Sequence, residues 1–203
     1  LAQGEAVKTA TEAYRRNYPR TTGALYWQIN DNWPVISWSS IDYFGRWKAL
    51  HYMARQFFQP VLVSGWVTGA RAEIWGVNDL PDRTPARLEW TLSRFDGDTV
   101  CRGDREVTLP ANGSALLVDL DLAGEMGEHP EYATYRDTNY EQKARYYLAY
   151  RLIGPEGELS RNVSFFAPLK YAELVEPALT WQIGERDGRL TVNLTAKRFA
   201  AHL

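Results

Sequence analysis

The spacing of apolar residues changes at Pro60, and this change constrains the fold more than any other feature of the chain. Before Pro60, apolar residues recur every three or four positions over residues 46–58, which predicts a helix that the proline ends. After Pro60 they recur at every second position, as in the run LEWTL at residues 88–92, which is the spacing of a half-buried strand. The chain therefore contains a helical part followed by a β-part.

The helical part also contains another helix, a strand and a long loop. Apolar positions at helical spacing, with basic residues at the end, predict a helix over residues 5–16. Residues 23–30 are apolar on both faces until the end of the run, which is typical of a central, parallel strand buried between two layers. Turn formers mixed with aromatic residues predict a loop over residues 31–45.

The β-part contains a series of short alternating segments separated by turn sequences such as Asp96-Gly97 and Asn112-Gly113. The candidate strands are residues 61–64, 71–78, 88–92, 105–109, 116–122, 146–152 and 159–167. This number of short strands over about 110 residues predicts an immunoglobulin-like β-sandwich.

Two further stretches interrupt or follow the predicted sandwich. Residues 123–143 are rich in polar residues and glycine and predict a solvated loop, with packing against a neighbouring domain as the alternative. Pro168 and Pro177 bracket a possible linker, after which residues 180–183 and 190–194 resume the alternation. Because two or three strands do not make a sandwich, residues 171–203 are interpreted as the start of a further β-domain, and the whole chain as a fragment.

Composition excludes several classes of function. The 203 residues carry a net charge of −2, so we expect no binding to nucleic acid or to an anionic membrane. No apolar run reaches the roughly 18 residues needed to span a bilayer. The sequence has a single cysteine, Cys101, and three histidines far apart, so we expect neither a metal site nor a cofactor.

Half of the eight tryptophans lie within 21 positions, at Trp27, Trp33, Trp38 and Trp47. An indole face flanked by Asn, Asp or Gln suits the apolar C–H face and hydroxyl rim of a sugar. Composition alone favours the alternative, in which these rings pack in a core or an interface.

The same region contains three longer runs: GALYWQINDNWP at residues 23–34, SWSSIDYFGRWKALHY at 37–52 and FFQPVLV at 57–63. Together these runs resemble the end of the catalytic domain of β-mannosidases of glycoside hydrolase family 2. EIWGVNDL at 73–80 and LSRN at 159–162 are similar to strands of the sandwich domain that follows the barrel in that family. The resemblance covers residues 1–170 well and residues 171–203 loosely.

This resemblance implies a mainly β fold: an immunoglobulin-like sandwich preceded by the last helix-strand-helix of a (β/α)8 barrel. Residues 1–58 would be the end of the barrel, with strand 8 at 23–30 and the last helix at 46–58. Residues 59–170 would be the sandwich, and residues 171–203 the start of a second β-domain.

The implied activity is that of a retaining exo-β-mannosidase acting on β-mannoside oligosaccharides or glycans. Trp27 would lie near the rim of the barrel, where the active site is found, and Asn30, Asp31 and Trp33 are further candidates for substrate binding. The family places its catalytic acid in an Asn-Glu pair, and no such pair occurs in these 203 residues. No catalytic residue is therefore assigned here, and the chain is expected to need the remainder of the barrel as its partner.

Two alternatives remain open. One is an independent carbohydrate-binding sandwich with Trp66, Trp75 and Trp90 as its platform; the other is a different family 2 glycosidase, such as a β-galactosidase or β-glucuronidase. Three Asn-X-Ser/Thr sequences, at Asn112, Asn162 and Asn193, would suit a lysosomal or secreted eukaryotic protein, but a bacterial cytoplasmic or periplasmic source is preferred.

Overall fold

A computed structural model describes residues 1–127 and 142–201. Helix α1 spans Ala2–Arg16 and helix α2 spans Ala49–Phe57, so both predicted helices are confirmed. Helix α2 begins later than residue 46, because Trp47 forms an antiparallel bridge with Ile41 and Lys48 is extended. The two helices pack against each other through the buried side chains of Leu50, Ala54 and Phe57.

The segment between the helices differs in part from the prediction. Residues 23–30 do not form a strand, and their pairing is limited to one parallel bridge between Asn30 and Ile41. A strand requires hydrogen-bonded neighbours along its length, and among the described residues backbone hydrogen bonds reach this run only from Ser40 and Ile41, at its end. The side chain of Leu25, nearer its start, is fully exposed. The predicted loop over residues 31–45 is irregular, as expected.

The β-part folds into two antiparallel sheets packed as a sandwich, which confirms the immunoglobulin-like prediction. Its strands are β1 Val61–Thr68, β2 Arg71–Asn78, β3 Thr84–Arg94, β4 Thr99–Leu109, β5 Gly113–Asp121, β6 Tyr146–Gly154 and β7 Gly157–Phe165. One sheet has the order β1-β2-β5 and the other β4-β3-β6-β7. The alternation of the sequence sets which face of each strand is buried.

The sandwich core forms between the inner faces of the two sheets. Ile74 from the first sheet and Leu88 and Leu148 from the second are fully buried in it. Trp90 lies on the core face of β3, opposite Gly103 of β4. A Cβ atom at position 103 would overlap the indole, so glycine is required there for the ring to pack.

The chain continues beyond the sandwich into a separate hairpin. The first residues of the predicted 123–143 loop form a single helical turn, α3, Ala123–Met126, and residues 128–141 of that prediction lie outside the described residues. Strands β8, Thr180–Arg186, and β9, Arg189–Thr195, form an antiparallel pair, as predicted, around a turn with positive φ at Asp187 and Gly188. Over residues 1–127 and 142–201, no helix combines the length and apolarity needed to cross a bilayer.

Candidate functional site

Trp27 is the most exposed of the four clustered tryptophans. Its side chain is 75% exposed, and the peptide bond that joins it to Gln28 is cis. Trp33 and Trp38 are also mostly exposed, whereas Trp47 packs against the imidazole of His51 with ring centroids 4.4 Å apart. The cluster is therefore not a buried core, and its indole faces are available to a ligand or to a neighbouring part of a larger protein.

The backbone that follows Trp27 is held by hydrogen bonds to a second segment of the loop. The amide of Ser40 donates to the carbonyl oxygens of Gln28 and Ile29 at 3.1 and 3.0 Å. The amide of Ile41 donates to the same Ile29 oxygen at 2.7 Å, and the amide of Asp31 donates to the Ile41 carbonyl at 3.1 Å. These bonds fix the chain immediately after the exposed indole.

The carboxylate of Asp31 is buried and hydrogen-bonded to other residues of the same loop. Asp31 is only 6% exposed, and its two oxygens accept hydrogen bonds from Ser37 Oγ at 2.5 Å and from Ser39 Oγ at 2.7 Å. Lys48 Nζ lies 3.4 Å from Asp31 Oδ2. The two serine hydroxyls, with Lys48 adding to them, lower the pKa of this carboxyl group below its ordinary value. Both carboxylate oxygens are hydrogen-bonded within the protein, so Asp31 holds the two parts of the loop together.

The other predicted binding residues are more accessible than Asp31. Asn30 is exposed, and its Nδ2 donates a 3.3 Å hydrogen bond to the Asp31 carbonyl. Trp33 is exposed in the loop. The structure thus leaves Trp27, Asn30 and Trp33 at the surface, while Asp31 turns inward.

An apolar cavity of about 480 Å³ lies next to this segment. It is lined mainly by hydrophobic side chains from the 24–29 run and from the region of α2, including Tyr26, Ile29, Trp47 and Phe58. Few polar groups reach it, so it suits packing by another apolar element better than binding of a sugar. Within the two described ranges, no group of three or more His, Cys, Asp or Glu side chains is placed to hold a metal ion.

A buried polar interface joins α1 to the sandwich, and the sequence did not reveal it. The Glu12 carboxylate accepts hydrogen bonds from Ser64 Oγ at 2.7 Å and from Asn162 Nδ2 at 2.9 Å. Arg15 donates to the Phe57 carbonyl at 2.6 Å and pairs with Asp79 at 2.8 Å. The interface fixes the helical part, and with it the loop that carries Trp27, relative to the β-part.

Burial of this interface affects its charges. Desolvation lowers the pKa of the Arg16 guanidinium, although the nearby Glu12 carboxylate acts in the opposite direction. In the sequence, Arg15 and Arg16 indicate only a favourable end for the helix dipole. The i,i+4 spacing of Lys8, Glu12 and Arg16 was the available signal for the network.

The tryptophans of the sandwich do not form a common platform. Trp66 and Trp75 lie on the outer face of the first sheet, whereas Trp90 lies on the core face of the second. The Arg16 guanidinium sits 5.7 Å from the centre of the Trp66 ring, and the Trp75 indole N–H donates to Glu73. These contacts do not provide the flat three-tryptophan surface that an independent carbohydrate-binding module would require here.

Comparison with known proteins assigns the β-part. Residues 70–171, about half of the chain, match the family model described as the Mannosidase Ig/CBM-like domain. The chain belongs to this family. The matched residues run from just before β2 to just past β7, so the Mannosidase Ig/CBM-like domain accounts for most of the sandwich.

Relatives of this Mannosidase Ig/CBM-like chain are named β-mannosidases. The goat (Capra hircus) β-mannosidase is 50% identical over 126 residues, which cover 54% of this chain and 14% of the goat protein. The β-mannosidase A of Neosartorya fischeri is 36% identical over 105 residues, covering 49% of this chain and 11% of that protein. This chain therefore spans about a seventh or less of the relatives' length.

A solved structure extends the similarity to almost the whole chain. The β-D-mannosidase of Dictyoglomus thermophilum superposes with a TM-score of 0.79 at 27% identity, covering 96% of this chain and 22% of that one. The resemblance to family 2 β-mannosidases is therefore confirmed, and it includes the helical part that the Mannosidase Ig/CBM-like family model does not cover.

Proposed function

We propose that this chain is the C-terminal portion of a retaining exo-β-mannosidase that removes terminal β-linked mannose. Residues 1–58 would form the end of a (β/α)8 catalytic barrel, residues 59–170 the sandwich, and residues 171–203 the start of a further β-domain. The names of the relatives and the similarity to the Dictyoglomus enzyme over 96% of the chain support this proposal.

The exposed indole of Trp27 is the observation on which the proposal depends. A 75% exposed tryptophan on a segment fixed by backbone hydrogen bonds is an unusual use of an apolar ring in a folded chain. It is well suited to stack against the C–H face of a mannosyl ring, with Asn30 and Trp33 as further contacts. Asp31 would support this surface through the loop, since its carboxylate is already engaged.

The hydrolytic carboxyl groups would come from the rest of the barrel. Retaining hydrolysis needs an acid and a nucleophile about 5–5.5 Å apart on either side of the scissile bond. In the part of the chain that the structure describes, the Asp31 carboxylate is tied to two serines and that of Asp42 to Arg46. We therefore expect the 203-residue chain alone to hydrolyse no mannoside.

The proposed place of this segment in a barrel also explains the apolar cavity beside residues 24–29. In a closed barrel, a neighbouring strand and helix would pack on Tyr26, Ile29 and Phe58, which line this cavity. The neighbouring strand would also pair with residues 23–30 and complete them as a strand. The partner of this chain would thus be the remainder of the catalytic barrel.

Hydrolysis of aryl glycosides by the longer protein that carries this chain tests the proposal. We expect turnover of the p-nitrophenyl β-mannoside and little or none of the corresponding β-galactoside, β-glucuronide and β-glucosaminide. Turnover of one of these other sugars in preference to the mannoside would indicate a different family 2 activity. Turnover by the purified 203-residue chain alone would contradict the assignment of the carboxyl groups.

The variant Trp27→Ala tests the role of the indole. One face of a ring that is 75% exposed offers about 95 Å² for stacking, or about 2.4 kcal/mol at ~25 cal/mol per Å². We expect kcat/KM for the mannoside to fall about 50-fold or more, since about 1.4 kcal/mol corresponds to a factor of ten. Trp181→Ala is the matched control, because Trp181 is similarly exposed but lies on β8. Equal losses in both variants would argue against a binding role for Trp27.

A further inference from the structure

Ser40 lies at the centre of a small hydrogen-bond network next to Trp27. Its side chain is fully buried. Ser40 Oγ lies 2.9 Å from Tyr26 Oη, 3.0 Å from the Ile29 carbonyl oxygen and 3.0 Å from His51 Nδ1. The three partners come from both sides of Trp27 and from helix α2.

The chemistry of these groups limits the direction of each bond. A serine hydroxyl has one hydrogen to donate and two lone pairs to accept, and a carbonyl oxygen can only accept. The Ile29 oxygen already accepts the backbone amides of Ser40 and Ile41, so the single Ser40 hydrogen is available to either Ile29 or His51 Nδ1. In both arrangements Tyr26 Oη donates to Ser40, and His51 Nδ1 is hydrogen-bonded to the Ser40 hydroxyl.

The network holds the chain on both sides of the indole. Tyr26 precedes Trp27 directly, and the Ser40 backbone amide binds the carbonyl oxygens of Gln28 and Ile29, which follow it. His51 connects Ser40 to α2, whose neighbouring Leu50 is buried between the helices.

The imidazole itself is held from a second side. The Trp47 ring packs on the His51 ring at 4.4 Å between centroids, so the plane of the imidazole is set by packing as well as by its hydrogen bond. Because the ring is fixed in this way, the position of α2 determines the position of Ser40. Ser40 in turn is hydrogen-bonded to the backbone that follows Trp27.

We propose that Ser40, His51 and Tyr26 act together as positioning residues that set the orientation of the Trp27 indole against the mannosyl ring. This inference rests on the proposed function, in which Trp27 contacts the substrate. None of the three side chains is proposed to touch the reacting atoms. Their role is to hold the ring where it stabilises the transition state, a task in which an error of about 1 Å costs as much as 100-fold in rate.

The hydrogen bond of His51 Nδ1 to Ser40 can be tested in the 203-residue chain itself. The sequence contains only three histidines, so selective ¹⁵N labelling gives a simple spectrum in which His51→Asn identifies the signals of His51. We expect the ¹⁵N shift of His51 Nδ1 to change in Ser40→Ala, because this variant removes the hydroxyl to which Nδ1 is bonded. The shift should stay the same in Gln56→Ala. An Nδ1 shift that is the same in the wild type and in Ser40→Ala would overturn the network.

Kinetics of the longer protein test the positioning role. We expect Ser40→Ala and His51→Leu to lower kcat for the aryl β-mannoside about 10- to 100-fold, with KM changed less than threefold. His51→Asn places a side-chain amide, which can donate or accept, near the position of Nδ1 and should recover most of the loss. Gln56→Ala, an exposed position on the same helix, should leave kcat unchanged.

The outcomes separate this inference from the proposed function. A wild-type protein without activity on β-mannosides contradicts the proposed function, whereas the response of the His51 Nδ1 signal to Ser40→Ala still decides whether the network exists. An active wild type whose Ser40→Ala variant keeps its full kcat, although its Nδ1 signal has shifted, overturns the positioning role. Thermal unfolding of each variant shows whether it has lost its fold. If Ser40→Ala or His51→Leu has done so, kcat of Tyr26→Phe, which removes one hydroxyl only, decides the positioning role.

Discussion

Replacing Glu12 by alanine tests how α1 is attached to the sandwich. The Glu12 carboxylate accepts hydrogen bonds from Ser64 and Asn162 and lies 3.9 Å from Arg16 Nη1. The side chains of Glu12 and Arg16 are only 6% and 9% exposed, so water screens this pair weakly. Removing one member of a buried ion pair costs about 3–5 kcal/mol, because the remaining charge stays buried without its partner.

A double-mutant cycle separates the pair from its surroundings. We expect Glu12→Leu and Arg16→Met each to lower the free energy of unfolding. The double variant should lose less than the sum of the two, by about 1–3 kcal/mol, since neither Glu12 nor Arg16 is left buried without the other. Lys8, 3.4 Å from Glu12, loses this partner in the single and the double variant alike, so its contribution cancels in the cycle. Asp119→Asn is the control: its ion pair with Arg71 is on the surface, and we expect no measurable change.

Urea unfolding of the 203-residue chain, followed by circular dichroism, provides the free energies, and hydrogen exchange shows which part opens. We expect faster exchange in α1 than in β3 and β6 for Glu12→Ala, because the helix loses its attachment while the sandwich core is intact. An unchanged unfolding midpoint for Glu12→Ala, or strict additivity in the cycle, would refute the reasoning.

Two further predictions concern the loop and the sandwich core. The pKa of Asp31 is lowered by its serine hydrogen bonds, so its stabilising effect is present above the ordinary carboxyl pKa and is lost as the pH falls through the lowered value. The protection factors for hydrogen exchange over residues 31–48, which compare each rate with that of an unstructured chain at the same pH, should therefore fall in acid. In Asp31→Asn they should be low already at neutral pH. Gly103→Ala should lower the free energy of unfolding by about 1–3 kcal/mol, because the added methyl group displaces the Trp90 indole. Chemical denaturation measures this loss, and a variant as stable as the wild type would contradict the packing argument.

The strands of the β-part could be predicted because the sequence signals for each strand lie within or next to that strand. The strand at residues 71–78 has the predicted bounds, since the alternation of side chains and the flanking turns both lie within the segment itself. The run 23–30 shows the opposite case. Its apolar residues indicate a central strand, but pairing depends on neighbours that the described residues do not supply.

The site was predictable only in its exposed residues. Trp27 is recognisable from its place in a tryptophan-rich run, and the structure leaves it exposed. The partners of Glu12, in contrast, lie 52 and 150 residues away in the sequence, at Ser64 and Asn162, and no local pattern connects them. From the sequence, Asp31 looks like a ligand-binding residue. The serines that donate hydrogen bonds to its carboxylate come close to it only in the folded loop.

The β8–β9 hairpin has a consequence for handling the protein. Its cross-strand pairs Trp181–Leu194 and Ile183–Val192 place four exposed apolar side chains on one side of a two-stranded ribbon. Exposed apolar surfaces of this kind associate with one another to bury their area, so the 203-residue chain should self-associate as its concentration rises. Light scattering against concentration will show this, and charged residues at Ile183 and Val192 should suppress it without disturbing the sandwich.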